Sequence, residues 1–117
     1  MSAIMPRIGA IFVPVADVEQ ARHWYARLLG IADAPEIQFG HLAVFALDNG
    51  LRLVLDAKIH DAHARRNSPL FHFDVEDIAT ARDHVVELGA DSVTEIGFDH
   101  WFTFRDPDGN VLMACVC

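Results

Sequence analysis

A chain of 117 residues with 52% apolar side chains has enough material for one well-filled domain, or for two half-domains too small to stand apart. Seventeen acidic against nine basic residues leave a net charge of −8, which argues against nucleic acid or an anionic membrane as partner. No apolar run reaches the length of a membrane span, and the opening Met-Ser-Ala-Ile-Met-Pro-Arg lacks the charged-then-apolar pattern of a secretory leader, so the expected compartment is the cytoplasm.

Residues 8–15 are apolar and β-branched, the composition of a buried strand. Asp17 follows as an N-cap, with Gln20 three residues on completing a box-like start. Val18, Ala21, Tyr25 and Leu28 then recur at spacings of three, four and three, one face of a helix, and Gly30 closes it. Three short strands are expected next, over 36–39, 41–47 and 51–56, the last two joined by Asp48-Asn49-Gly50. Residues 57–69 are polar, carry His60, His63, Arg65 and Arg66, and read as a connector.

The second half copies the first. A strand over 70–75 leads to the cap Asp77, the helix face Ile78, Ala81, Val85 and Leu88, and the stop Gly89. Strands over 92–96, 101–105 and 110–116 follow, the last two separated by the turn Asp106-Pro107-Asp108-Gly109. At an offset of about sixty residues, Val15-Ala16-Asp17-Val18 is answered by Val75-Glu76-Asp77-Ile78, Ala21-Arg22 by Ala81-Arg82, and Asn49-Gly50 by Asp108-Gly109. Two copies of one supersecondary unit make a single α+β domain of two modules, 7–56 and 70–117, joined by the connector 57–69. Cys115 and Cys117 lie two apart on one face of the final strand; a bridge between them would be strained, so two reduced thiols are expected.

This pattern resembles the vicinal oxygen chelate superfamily of glyoxalases, bleomycin-resistance proteins and ring-cleaving dioxygenases. The residues that carry the resemblance are Val15-x-Asp17-x-x-x-Ala21 with Tyr25 and Leu29-Gly30, the echo Val75-x-Asp77-x-x-x-Ala81, and Arg105-Asp106-Pro107-Asp108-Gly109-Asn110. It implies two tandem β-α-β-β-β modules forming a U-shaped, partly closed mixed sheet around a cavity, helices outside, often completed across a homodimer. It also implies a divalent metal held by one ligand from the first and one from the last strand of each module. Carried over, those four positions are Ala10, Val54, Leu70 and Met113. Ala, Val and Leu have no donor atom, and a Met thioether suits only soft metals, so no metal and no cofactor is expected.

Strand alternation places Ala10 with Phe12, Arg52 with Val54 and Asp56, His72 with Leu70, and Val111 with Met113 and Cys115. The ligand-binding set is therefore Ala10, Phe12, Arg52, Val54, Asp56, His72, Val111 and Met113, with an aromatic from Trp101 or Phe102 at its rim. Arg105 beside Asp106 reads as a local ion pair. No nucleophile–base pair and no glycine-rich phosphate loop is present in the sequence. The leading expectation is a metal-free homodimer that sequesters a partly apolar or aromatic small molecule, as in antibiotic resistance. One alternative is a glyoxalase-like lyase, isomerase or dioxygenase using a displaced metal near His72 and Cys115, or His72 as acid-base. The other is a non-catalytic scaffold or regulatory dimer whose cavity is filled by its own side chains.

Overall fold

The computed structural model describes residues 2–64 and 66–117, which leaves Arg65 of the expected connector outside the described residues. The chain runs β1 (Ala10–Pro14), α1 (Val18–Leu29), β2 (Leu42–Ala46), β3 (Arg52–Asp56), β4 (Phe73–Asp74), α2 (Ile78–Leu88), β5 (Trp101–Arg105) and β6 (Val111–Cys115). Two three-stranded mixed sheets result, in the orders β1-β3-β2 and β4-β6-β5, and the repeat in the sequence is thus a repeat in topology. Neither sheet is closed.

Both helices begin and end where their caps stand. Asp17 accepts from the amides of Glu19 and Gln20, Asp77 from that of Thr80, and each carboxylate satisfies donors that the first turn leaves free. Gly30 and Gly89 end the helices at φ 69° and 84°, a left-handed conformation that a side chain would oppose.

The strands depart from expectation in three places. The first strand is shorter than 8–15, because its parallel pairing with β3 runs only from Ala10↔Arg52 to Pro14↔Asp56. The expected strand 70–75 shrinks to Phe73–Asp74, the two residues in register with Ala114 and Cys115. The expected strands 36–39 and 92–96 do not form; single bridges Gln38↔Leu42, Asp91↔Arg105 and Gly97↔Trp101 stand in their place. Phe39, Ser92, Phe98 and Asp99 all take positive φ near 50–62°, which turns the chain out of a ladder.

Each sheet turns one face to a helix, and the two helical layers meet. Val13, Val15, Phe45, Leu53 and Leu55 of the first module share one continuous buried cluster with Val85, Phe102, Phe104 and Leu112 of the second, bridged by Trp24 and Tyr25 of α1. Nε2–H of His84 on α2 is 3.1 Å from the carbonyl oxygens of both Arg27 and Leu28, so it caps the end of α1 from the other module. Truncating a core ring such as Phe104 to Ala should cost about 3–5 kcal/mol.

The cysteines also differ from expectation. Cys115 and Cys117 are disulfide-bonded, with their Cα atoms 5.4 Å apart. β6 ends at Cys115, and the Cα separation of the pair lies within the range that a disulfide spans.

Candidate binding cleft between the two sheets

The face of each sheet away from the helices is uncovered by secondary structure. In sheet one the parallel register aligns Ala10 with Arg52, Phe12 with Val54 and Pro14 with Asp56 on that face. In sheet two the antiparallel register aligns Trp101 with Cys115, Thr103 with Met113 and Arg105 with Val111. Because neighbours across a ladder point the same way, these residues form one wall of each sheet, opposite its helix.

Phe102 lies outside that wall. It is fully buried on the core face, against Phe104 at a ring separation of 5.7 Å, while Trp101 takes the open face. The order of parity along β5 decides this: Phe102, Phe104 and the β6 residues Leu112 and Ala114 are the helix-facing set. Trp101 also lies over Gly97, where an added Cβ would sit 2.8 Å from the indole.

The two modules meet where the end of β1 and the residues just after it touch the β5–β6 turn. The Asn110 side-chain amide donates to the Pro14 carbonyl at 2.8 Å, and the Ala16 amide donates to Asp108 Oδ1 at 3.0 Å. Beside this seam lies a cavity of about 290 Å³, lined by Phe12 and Pro14 of β1, by Leu70 and Asn110 of the second module, and by Ile59, His60, Asp61, Ala64 and Arg66 of the connector. A gap of about 40 Å³ next to it brings Phe12 against Val111. The larger space is close to the lower bound for a small-molecule site.

Of the expected set, Phe12 and Val111 are thus brought together. Ala10, Arg52, Val54, Asp56, His72, Trp101 and Met113 line neither cavity. Val54 and Asp56 are buried, and the Asp56 carboxylate accepts from the Lys58 amide at 2.9 Å. His72 Nδ1 stands 3.5 Å from Asp74 Oδ1 on an exposed stretch, a pairing of little energetic weight.

The connector residues have no signal in the sequence that marks them as cavity lining, whereas Leu70 stands at one of the carried-over ligand positions. A polar stretch reads as solvated linker, and only its return across the seam makes it a wall. Arg105 fixes that return: its Nη1 donates to Gly109 O at 2.6 Å and to Arg66 O at 3.2 Å. The expected Arg105–Asp106 ion pair is replaced by this arrangement. Asp106 instead accepts from the Tyr25 hydroxyl, from the Asn110 side chain and from the amides of Asp108 and Asn110. Burial pushes the Asp106 carboxyl above its ordinary value, opposed by those hydrogen bonds, and pushes Tyr25 well up.

A two-module α+β chain with open inner faces is the architecture of glyoxalase-like proteins. The glyoxalase-like domain family matches residues 10–117, and the chain belongs to that family. No curated protein matches the sequence. Among solved structures it is similar to a lactoylglutathione lyase from Agrobacterium tumefaciens, at 17% identity over 95% of this chain and 93% of that one, TM-score 0.68. A glyoxalase/dioxygenase from Nostoc punctiforme aligns at 18% identity over 97% and 95%, TM-score 0.70. A glyoxalase/bleomycin resistance protein from Catenulispora acidiphila aligns at 24% over 93% and 97%, TM-score 0.65. At these identities the likeness shows the fold alone.

The residues here do not fit the metal that the family implies. Ala10, Val54 and Leu70 offer no donor at the carried-over positions, and Met113 offers only a thioether. Among the described residues, no three His, Cys, Asp or Glu side chains come together to replace them. No helix of the described residues is long and apolar enough to cross a membrane.

Proposed function

We propose that this protein binds a partly apolar or aromatic small molecule in the cleft between its sheets without a resident metal, sequestering it as a cytoplasmic homodimer. The observation that carries this reading is the pair Phe12 and Leu70. They come from different modules, are 57% and 65% exposed, and line one cavity. Scattered exposed apolar residues are ordinary, but two large ones converging across a seam form a patch that a guest would cover. Ile59 of the connector, also exposed, extends the patch. The bleomycin-resistance name of one structural relative is consistent with an antibiotic as guest, and an aromatic metabolite fits the same chemistry.

A thermal-shift panel of neutral, cationic and anionic aromatic compounds tests the reading. A true guest raises the melting temperature with the logarithm of its concentration, and Phe12→Asp abolishes the rise while leaving the unliganded melt near wild type. Metal at one equivalent per chain, lost on changing His72 or Cys115, would overturn the metal-free reading. A concentration-independent monomer by light scattering would overturn the dimer.

A further inference from the structure

The cleft beside Phe12 and Leu70 carries charge as well as apolar surface, and its polar groups are not equally free. Asp61 Oδ1 accepts from the His63 amide at 2.9 Å, and Asp108 Oδ1 accepts from the Ala16 amide at 3.0 Å. The Asn110 side-chain amide is committed to the Pro14 carbonyl and to Asp106 Oδ2, at 2.8 Å each. Arg66 lends only its backbone carbonyl, which accepts from Arg105 Nη1 at 3.2 Å. Its guanidinium makes no hydrogen bond or ion pair among the described residues. Position sets Arg66 apart too. Together with Phe12 and Leu70 it borders both the cavity of about 290 Å³ and the gap of about 40 Å³, whereas Asp61 and Asp108 border only the larger space. Arg105 brings a second positive charge close to the same stretch of wall. Because the chain as a whole carries a charge of −8, this cation is a local feature and not part of a basic field.

We propose that the guest of this cleft is a small aromatic carboxylate, its ring against Phe12, Leu70 and Ile59 and its head group on the Arg66 guanidinium. The proposal rests on the reading of the seam as a binding site and names the chemistry of the guest. A guanidinium presents paired N–H donors in one plane, which match the two oxygens of a carboxylate, and both bonds are charge-assisted. The carbonyl bond from Arg105 anchors the backbone from which that side chain projects. An ion pair in water contributes little by itself, so the apolar contacts supply the affinity and Arg66 supplies the choice of head group. A cationic guest would have to pair with Asp61 or Asp108, each with one oxygen already on a backbone amide, and neither borders the gap where Phe12 meets Val111.

Three probes with one aromatic body and different heads test this by calorimetry at neutral pH: 2-naphthoate, 2-naphthamide and 2-naphthylmethylammonium. Wild type should bind the carboxylate about tenfold more tightly than the amide, with the ammonium weakest. Arg66→Gln should bring carboxylate and amide to parity and leave the affinity for the amide unchanged. Arg66→Lys, which keeps the charge and loses the fork, should fall between. Arg66 is exposed and its carbonyl survives both changes, so the melting temperature should stay at the wild-type value. Equal binding of carboxylate and amide by wild type would overturn the proposal and leave the cleft standing. A preference that survives Arg66→Gln, or tightest binding of the ammonium, would overturn it in the same way. Failure of all three probes to bind at millimolar concentration would remove the cleft, and the proposal with it.

Discussion

The Tyr25 hydroxyl donates to Asp106 Oδ2 at 2.6 Å, joining α1 of the first module to the β5–β6 turn of the second across 81 residues of sequence. Both groups are buried. The same carboxylate accepts from the amides of Asp108 and Asn110 at 2.9 Å each, so one side chain shapes the turn and ties the modules.

Removing that donor should loosen the seam. Tyr25→Phe keeps the ring and its packing but takes one partner from a buried carboxylate, at a cost of about 1–3 kcal/mol. Urea unfolding of the two proteins measures it. A difference under a few tenths of a kcal/mol would show that the modules are held by packing alone.

Asp106 should also leave a mark on the pH dependence of stability. Burial raises its folded-state pKa, so the folded protein holds this proton more tightly than the unfolded chain. The stability that Asp106 contributes is therefore highest below its ordinary value, falls as pH rises toward the raised value, and is constant above it. Asp106→Asn removes the titration with little change in size. The unfolding free energy of wild type relative to this variant should decline with rising pH through the acid range and then level. A rise instead would mean that the hydrogen bonds from Tyr25 and Asn110 outweigh desolvation.

Gly97 is set by its neighbour. A Cβ there would meet Trp101 Cε2 and Cζ2 at 2.8 Å, so Gly97→Ala must displace the indole on the open face. Overpacking of this kind costs about 1–3 kcal/mol. Adding Trp101→Ala should relieve it, giving a non-additive double-mutant cycle by thermal unfolding. Additive costs would place the indole elsewhere in solution.

The helices are fully legible in the sequence, because capping residues and a three–four–three apolar spacing are local signals that tertiary contacts here do not override. Strand faces are legible for the same reason: parity alone separates Phe12 from Val13, and Val111 from Leu112. Parity does not choose between Trp101 and Phe102; the register with β6 assigns Phe102 to the core. The strands expected over 36–39 and 92–96 are interrupted by the positive φ of Phe39 and Ser92, which neither residue type announces as a glycine would. The cleft is half legible. Phe12 and Val111 follow from alternation, whereas the wall built by Ile59, His60 and Arg66 depends on where the connector returns. The long-range hydrogen bond from Arg105 to the Arg66 carbonyl ties it there, and no local pattern encodes that bond.

The central claim is that the seam between the sheets is a binding site, and mapping a bound guest by NMR tests it most directly. The aromatic compound giving the largest thermal shift would be titrated into labelled protein. Shift changes should centre on Phe12, Ile59, Leu70 and Val111, and Phe12→Asp should erase them. Changes centred on the helix layer, on the exposed tips Phe39 and Phe98, or nowhere at saturating concentrations of the panel would contradict the account.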